Sequence, residues 1–116
     1  MSGIVFFGTE SLETVVEFYV DRIGGTRWLE QPDCTILQYD NMLFGFCTRE
    51  RADTAGTITF VYDSADEVDA MYDRLTDCAL EEPVENEQYR IYQFFATDPE
   101  GRTVEFQTFR HETPGV

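Results

Sequence analysis

The sequence predicts an α+β fold made of two βαβββ modules. Three observations carry this. The element order β-α-β-β-β occurs twice along the 116 residues. Phe7, Ser11, Val15 and Tyr19 recur at constant spacing as Phe60, Ser64, Val68 and Tyr72. The closing hairpins also correspond, with Asn41, Phe46 and Thr48 matching Gly101, Phe106 and Thr108. A period near half the chain length marks two related modules. The expected organisation is one domain over 1–116: module one 1–49, linker 50–56, module two 57–110 and a frayed tail 111–116.

The elements follow in order. Ile4 to Phe7, ended by Gly8, is an apolar run that reads as a buried strand. Thr9-Glu10-Ser11 offers N-cap groups, and Glu10 and Glu13 favour a helix start. Leu12, Val15, Val16, Tyr19 and Ile23 then recur at helical spacing until Gly24-Gly25 stops the helix. Thr26 to Glu30 reads as a strand bearing the single Trp, Trp28. Gln31-Pro32-Asp33 turns the chain into a strand Cys34 to Tyr39. Asp40-Asn41 is a hairpin turn before a strand Met42 to Thr48.

The second module opens with the strand Thr57 to Tyr62. Ser64-Ala65-Asp66-Glu67 is a capping box for a helix striped by Val68, Met71, Tyr72 and Leu75. Leu80 to Val84 reads as a weak edge strand containing Pro83. Gln88 to Ala96 and Arg102 to Phe109 are the last strands. Asp98-Pro99-Glu100-Gly101 between them is a strong turn signal, with Pro presetting φ and Gly taking the corner. Alternation places Val104 and Phe106 in the core and Thr103, Glu105 and Gln107 on the other face.

Charge excludes some functions. There are 23 Asp+Glu against 8 Lys+Arg, a formal net charge of −15. All eight cations are Arg. Such a chain repels phosphate backbones, so no nucleic-acid partner is expected. The acids are spread along the whole chain and lysine is absent, which favours adaptation of an acidic surface to molar salt, as in a halophilic cytoplasm. A negative cleft drawing a cationic ligand is the other reading. No apolar run is long enough to span a bilayer, and no leader pattern opens the chain, so no membrane partner and a cytoplasmic location are expected. Cys34, Cys47 and Cys78 are odd in number and lack a CxxC, and read as buried thiols in a reducing compartment.

Phe18-Tyr19, Gly24-Gly25 and above all Asp98-Pro99-Glu100-Gly101-Arg102-Thr103-Val104-Glu105-Phe106 resemble the signatures of the vicinal oxygen chelate superfamily, which includes glyoxalase I, bleomycin resistance proteins and extradiol dioxygenases. The resemblance implies that each βαβββ module curls into a half-barrel and that the pair forms a cleft. It also implies a homodimer. Metal-dependent members hold a divalent cation through His and Glu on first and last strands. Carried onto this chain, those positions are Ile4, Gly45, Thr57 and Glu105. One carboxylate alone cannot hold a catalytic metal, which needs about three protein ligands. No cofactor is therefore expected, and a divalent metal is disfavoured rather than excluded.

The expected function is small-molecule binding, like the bleomycin resistance branch; whether the chain is an enzyme stays open, with Ile4, Gly45 and Thr57 weighing against it. The alternative is a divalent-metal-dependent lyase or dioxygenase of the same superfamily. A third reading is an interaction module whose cleft is filled by its own side chains. The candidate ligand-binding residues are Phe6, Trp28, Gly45, Cys47, Thr57, Thr59, Tyr92, Glu105 and Gln107. They would form an apolar and aromatic pocket with few polar anchors. In it Gly45 makes room and Glu105 pairs an amine or accepts from a hydroxyl. Against this, Glu105 can simply be a carboxylate bonded to Thr57, Thr103 or water. No Ser/His/Asp arrangement or phosphate loop is present.

Overall fold

A computed structural model describes residues 3–116. Eight strands form two four-stranded mixed sheets, each crossed by one helix, and the class is α+β. The chain divides into two compact units. The first spans Met1–Ala55 and also takes in the turn Asp98–Arg102, while the second holds Gly56–Thr97 and Thr103–Val116.

In the first unit β1 (Ile4–Thr9), β2 (Thr26–Gln31), β3 (Cys34–Tyr39) and β4 (Met42–Thr48) run in the order β1-β4-β3-β2. β1 lies parallel to β4, and a parallel pair needs a crossover. Helix α1 (Leu12–Glu17) makes that crossover and continues as a π-helical turn Phe18–Ile23. The turn ends at Gly24, whose φ of 102° lets its N–H and that of Gly25 both reach the Tyr19 carbonyl. Val15, Val16 and Tyr19 are buried, and the Tyr19 ring stacks on Phe46 and meets Phe44 edge-on. One sheet face is therefore a core of aromatic rings under α1. Ser11 precedes α1 without a side-chain cap bond; its own N–H donates to Thr9 Oγ1 at 3.1 Å.

The second unit repeats the plan. β5 (Thr57–Val61), β6 (Val84–Asn86), β7 (Ile91–Thr97) and β8 (Thr103–Phe109) run β5-β8-β7-β6, and α2 (Ala65–Arg74) crosses from β5. Ser64 caps α2 by accepting from the Glu67 N–H, the first half of a capping box, and its hydroxyl donates to the Glu67 carboxylate. Val68, Met71 and Leu75 are buried with Phe60, Phe94 and Phe106, whose rings stack. The weak strand falls later than expected, at Val84–Asn86, with Ala79 bridged to Ala96 instead. Pro83 lacks an N–H to give a ladder, and pairing begins just after it.

The cysteine reading needs correction. Cys34 and Cys47 form a disulfide, and only Cys78 is a free thiol. The β3–β4 register sets the two directly opposite, with Cα atoms 4.1 Å apart, so their side chains share one face.

The turn Asp98–Arg102 is held by charge. Arg102 is fully buried. Its guanidinium donates to the Asp98 carboxylate, to Glu100 Oε1 at 3.3 Å, to the Gly8 carbonyl at 3.2 Å and, through Nε, to the Asp53 carbonyl at 2.8 Å. It also lies over the Phe7 and Phe46 rings. Asp98 further accepts from Tyr19 Oη at 2.8 Å and from the N–H groups of Glu100 and Arg102. Burial, with the Asp98 charge beside it, pushes the Tyr19 phenol far above its usual value. Glu100 accepts from Thr9 Oγ1 at 2.6 Å and the Glu10 N–H at 2.9 Å. Burial raises the Glu100 pKa, but these bonds and Arg102 outweigh it and hold the group below the usual carboxylate value. The turn signature thus acts as a buried ionic anchor.

Candidate functional site

Each sheet has a second face, opposite its helix, and the register fixes who stands there. In the first unit Phe6 pairs with Gly45 and Gly8 with Cys47, while Ile36 and Cys34 lie beside them on β3. In the second unit Thr57 pairs with Thr103, Thr59 with Glu105 and Val61 with Gln107. On β7, Phe95 lies opposite Glu105 and Gln93 opposite Gln107. Parallel partners and directly opposed antiparallel partners point to the same face. The candidates therefore fall into two groups: Phe6, Gly45 and Cys47 on one sheet, and Thr57, Thr59, Glu105 and Gln107 on the other.

In the first group Gly45 makes room, but its own neighbour takes it. A Cβ at Gly45 would stand 2.6 Å from Phe6 Cε1, so the ring lies over the glycine backbone. Phe6 nevertheless remains 49% exposed. It and Cys47 line an open cavity of about 420 Å³, together with Phe7, Cys34, Arg49 and Asp53. The disulfide forms part of that wall, and Asp53 Oδ2 accepts from the Gly8 N–H at 2.6 Å. Cys47 is therefore a bridged sulfur rather than a thiol facing a ligand.

The second group is polar and closely bonded. Glu105 is 9% exposed. Its Oε1 accepts from Thr59 Oγ1 at 2.8 Å and Gln107 Nε2 at 3.2 Å, and its Oε2 accepts from Gln93 Nε2 at 2.7 Å. Gln93 Oε1 in turn accepts from Asn86 Nδ2 at 2.9 Å. All these donors are neutral. A buried carboxylate left without donors would be expensive, and this network supplies them. The partner of Glu105 on the first strand is Thr59, not Thr57 or Thr103. Thr57 lies exposed at the start of the edge strand β5.

Two candidates stand elsewhere. Tyr92 is on the helix side of its sheet and donates from Oη to Asp69 Oδ1 of α2 at 2.6 Å. That bond leads the causes that raise its pKa to about 12, and Arg110 lies over the ring. Tyr92 therefore does not share the face of Glu105, because β7 alternates and Gln93 takes that place. Trp28 sits at the β2 register shift between Arg27 and Leu29 and is 40% exposed. Gln93 and Asn86 were missed, although counting outward from the Thr97–Thr103 closing pair brings Gln93 opposite Gln107.

The metal positions carried over by resemblance can be tested against this geometry. The strand neighbours of Gly45 and Glu105 are Phe6 and Thr59, two residues beyond Ile4 and Thr57. None of these six residues except Glu105 is a good divalent-cation ligand. Three of the roughly four lone-pair sites of Glu105 are already engaged. Among the described residues no cluster of three His, Cys, Asp or Glu could hold a metal ion. The residues present do not fit the metal of the metal-dependent members.

Two mixed four-stranded sheets, each of the βαβββ order, define the glyoxalase/bleomycin resistance/dioxygenase fold, and solved structures of that class share it. A glyoxalase-related enzyme from Fulvimarina pelagi matches with a TM-score of 0.81 at 14% identity, over 100% of this chain and 93% of that one. A glyoxalase/bleomycin resistance protein/dioxygenase from Alicyclobacillus acidocaldarius matches at 0.79 and 15% identity, over 96% and 92%. Lactoylglutathione lyase from Agrobacterium tumefaciens matches at 0.76 and 19% identity, over 93% and 92%. No protein-family model matches the sequence, and no curated protein matches it. Among the described residues no helix is long and apolar enough to cross a membrane.

Proposed function

We propose that this chain is a small-molecule-binding protein of the vicinal oxygen chelate superfamily that works without that superfamily's usual catalytic metal. The observation that carries the reading is Glu105. It is the one carboxylate at a family ligand position, and three of its roughly four lone-pair sites are bonded to Thr59, Gln93 and Gln107. A buried polar anchor beside Phe95, on a sheet face that also carries Thr59, Val61, Gln93 and Gln107, suits ligand recognition. In the first unit, the exposed Phe6 and Trp28 are separate candidates for apolar contact. The reading includes a homodimer, which rests on the resemblance to the superfamily, and the cytoplasm of a halophile, for which the −15 charge and the absence of lysine speak.

Thermal melts over a small-molecule library, in molar KCl, test it. Binding to the native state raises the melting point, by about 2.7 kcal/mol of stability at a ligand concentration 100 times Kd. Hits that stabilise the native protein and are lost in Glu105→Gln support the proposal. Hits that survive in Glu105→Gln, or stabilisation by divalent cations alone, would contradict it.

A further inference from the structure

The Glu105 face carries one acceptor with nothing to accept. Gln107 is 9% exposed, and its Oε1 is buried without a hydrogen-bond partner among the described residues. Its amide cannot simply be flipped. Nε2 donates to Glu105 at 3.2 Å, and a flip would set a carbonyl against a carboxylate. Gln93 is oriented the same way, donor toward Glu105, and its own carbonyl is satisfied by Asn86. Both glutamines point a donor at the one charge, and the chain of bonds ends at Gln107 Oε1.

The vacancies can be counted. A carboxylate offers about four lone-pair sites and an amide carbonyl two. Three on Glu105 are used, so one remains on Oε2, and both on Gln107 Oε1 are open. Among the described residues Glu105 also has no cation as a partner, and a buried charge is best offset by an opposite one. We propose that this face binds a primary ammonium group, with Glu105 supplying the opposite charge and Gln107 Oε1 the second acceptor. An ammonium has three donors and no lone pair, so it can give one bond to Glu105 Oε2 and one to Gln107 Oε1 with no acceptor of its own set against them. A hydroxyl brings one donor and sets its own lone pairs against these oxygens. An anion is repelled. Phe95, half-buried opposite Glu105, offers a surface for an aryl or alkyl group next to the ammonium. Gln107 is then the residue that separates amines from alcohols. This inference rests on the ligand-binding reading above and narrows its ligand class.

The test uses the full-length ¹⁵N-labelled protein near neutral pH, with benzylamine, benzyl alcohol and benzoate as probes. Benzylamine is expected to shift the side-chain amide signals of Gln107 and Gln93 saturably. Its affinity should exceed that of benzyl alcohol by at least about ten-fold, since a charge-assisted bond is roughly twice as strong as a neutral one. Gln107→Leu, which keeps the size and removes the acceptor, should weaken benzylamine about ten-fold. Backbone spectra of the variant check that the fold persists. Equal affinity for benzylamine and benzyl alcohol, or benzylamine binding unchanged in Gln107→Leu, would overturn the ammonium and leave the small-molecule reading standing. No saturable shift with any of the three probes would overturn the ammonium as well. If the thermal screen is also empty, the wider reading falls with it.

Discussion

Arg102→Met should be among the most damaging single substitutions in this chain. The side chain is fully buried and its guanidinium serves two carboxylates, two carbonyls and two aromatic faces. Methionine keeps much of the stem and the ring contact but none of the donors. Asp98 would remain 4% exposed, bonded by Tyr19 and two backbone N–H groups yet without a counter-charge. Breaking a buried ion pair by removing one partner costs about 3–5 kcal/mol. At about 3–5 °C per kcal/mol for a chain of this size, the melting point should fall by ~10–20 °C. Urea unfolding at fixed KCl measures the free energy directly. A loss under about 1 kcal/mol would refute the argument, because that is the value of a solvated surface pair.

Three further outcomes follow from particular residues. Glu100 has a folded pKa below its ordinary 4.5, so its bonds stabilise the fold above that value and are lost as pH falls through the lowered one. Glu100→Gln should therefore flatten the acid limb of a stability–pH curve below about pH 4.5, while an unchanged limb would count against the anchor. Gly45→Ala must push the Phe6 ring aside; since that ring is half-exposed, the loss should be near the low end of about 1–3 kcal/mol, read by urea melts. Thiol titration of unfolded, unreduced protein should find one thiol per chain and, after reduction, three, because Cys34 and Cys47 are joined.

The fold was legible because its signals are local and repeated. Alternation in β7 and β8, the capping box at Ser64 and the Asp40 and Gly101 corners each announce themselves in a few residues. The site was legible only in part. Alternation and the repeat placed Thr59, Glu105 and Gln107 on one face, but Gln93 needed the β7–β8 register as well. The disulfide had the same signal. Counting outward from the Tyr39–Met42 closing pair reaches Cys34 opposite Cys47, and compartment arguments had been set above that geometry. Tyr92 failed by one residue of phase, since a single step along a strand changes the face. What no pattern revealed is that Phe6 covers Gly45, or that Gln107 keeps a carbonyl without a donor. Both are matters of side-chain rotamer.

The central claim is that Glu105 is the anchor of a metal-free binding face. Isothermal titration of the purified, chelator-treated protein with Zn²⁺, Ni²⁺ and Mn²⁺ tests it most directly, with Glu105→Gln alongside. The account predicts no stoichiometric binding that depends on Glu105. One tightly bound ion per chain or per dimer, abolished by Glu105→Gln, would contradict it.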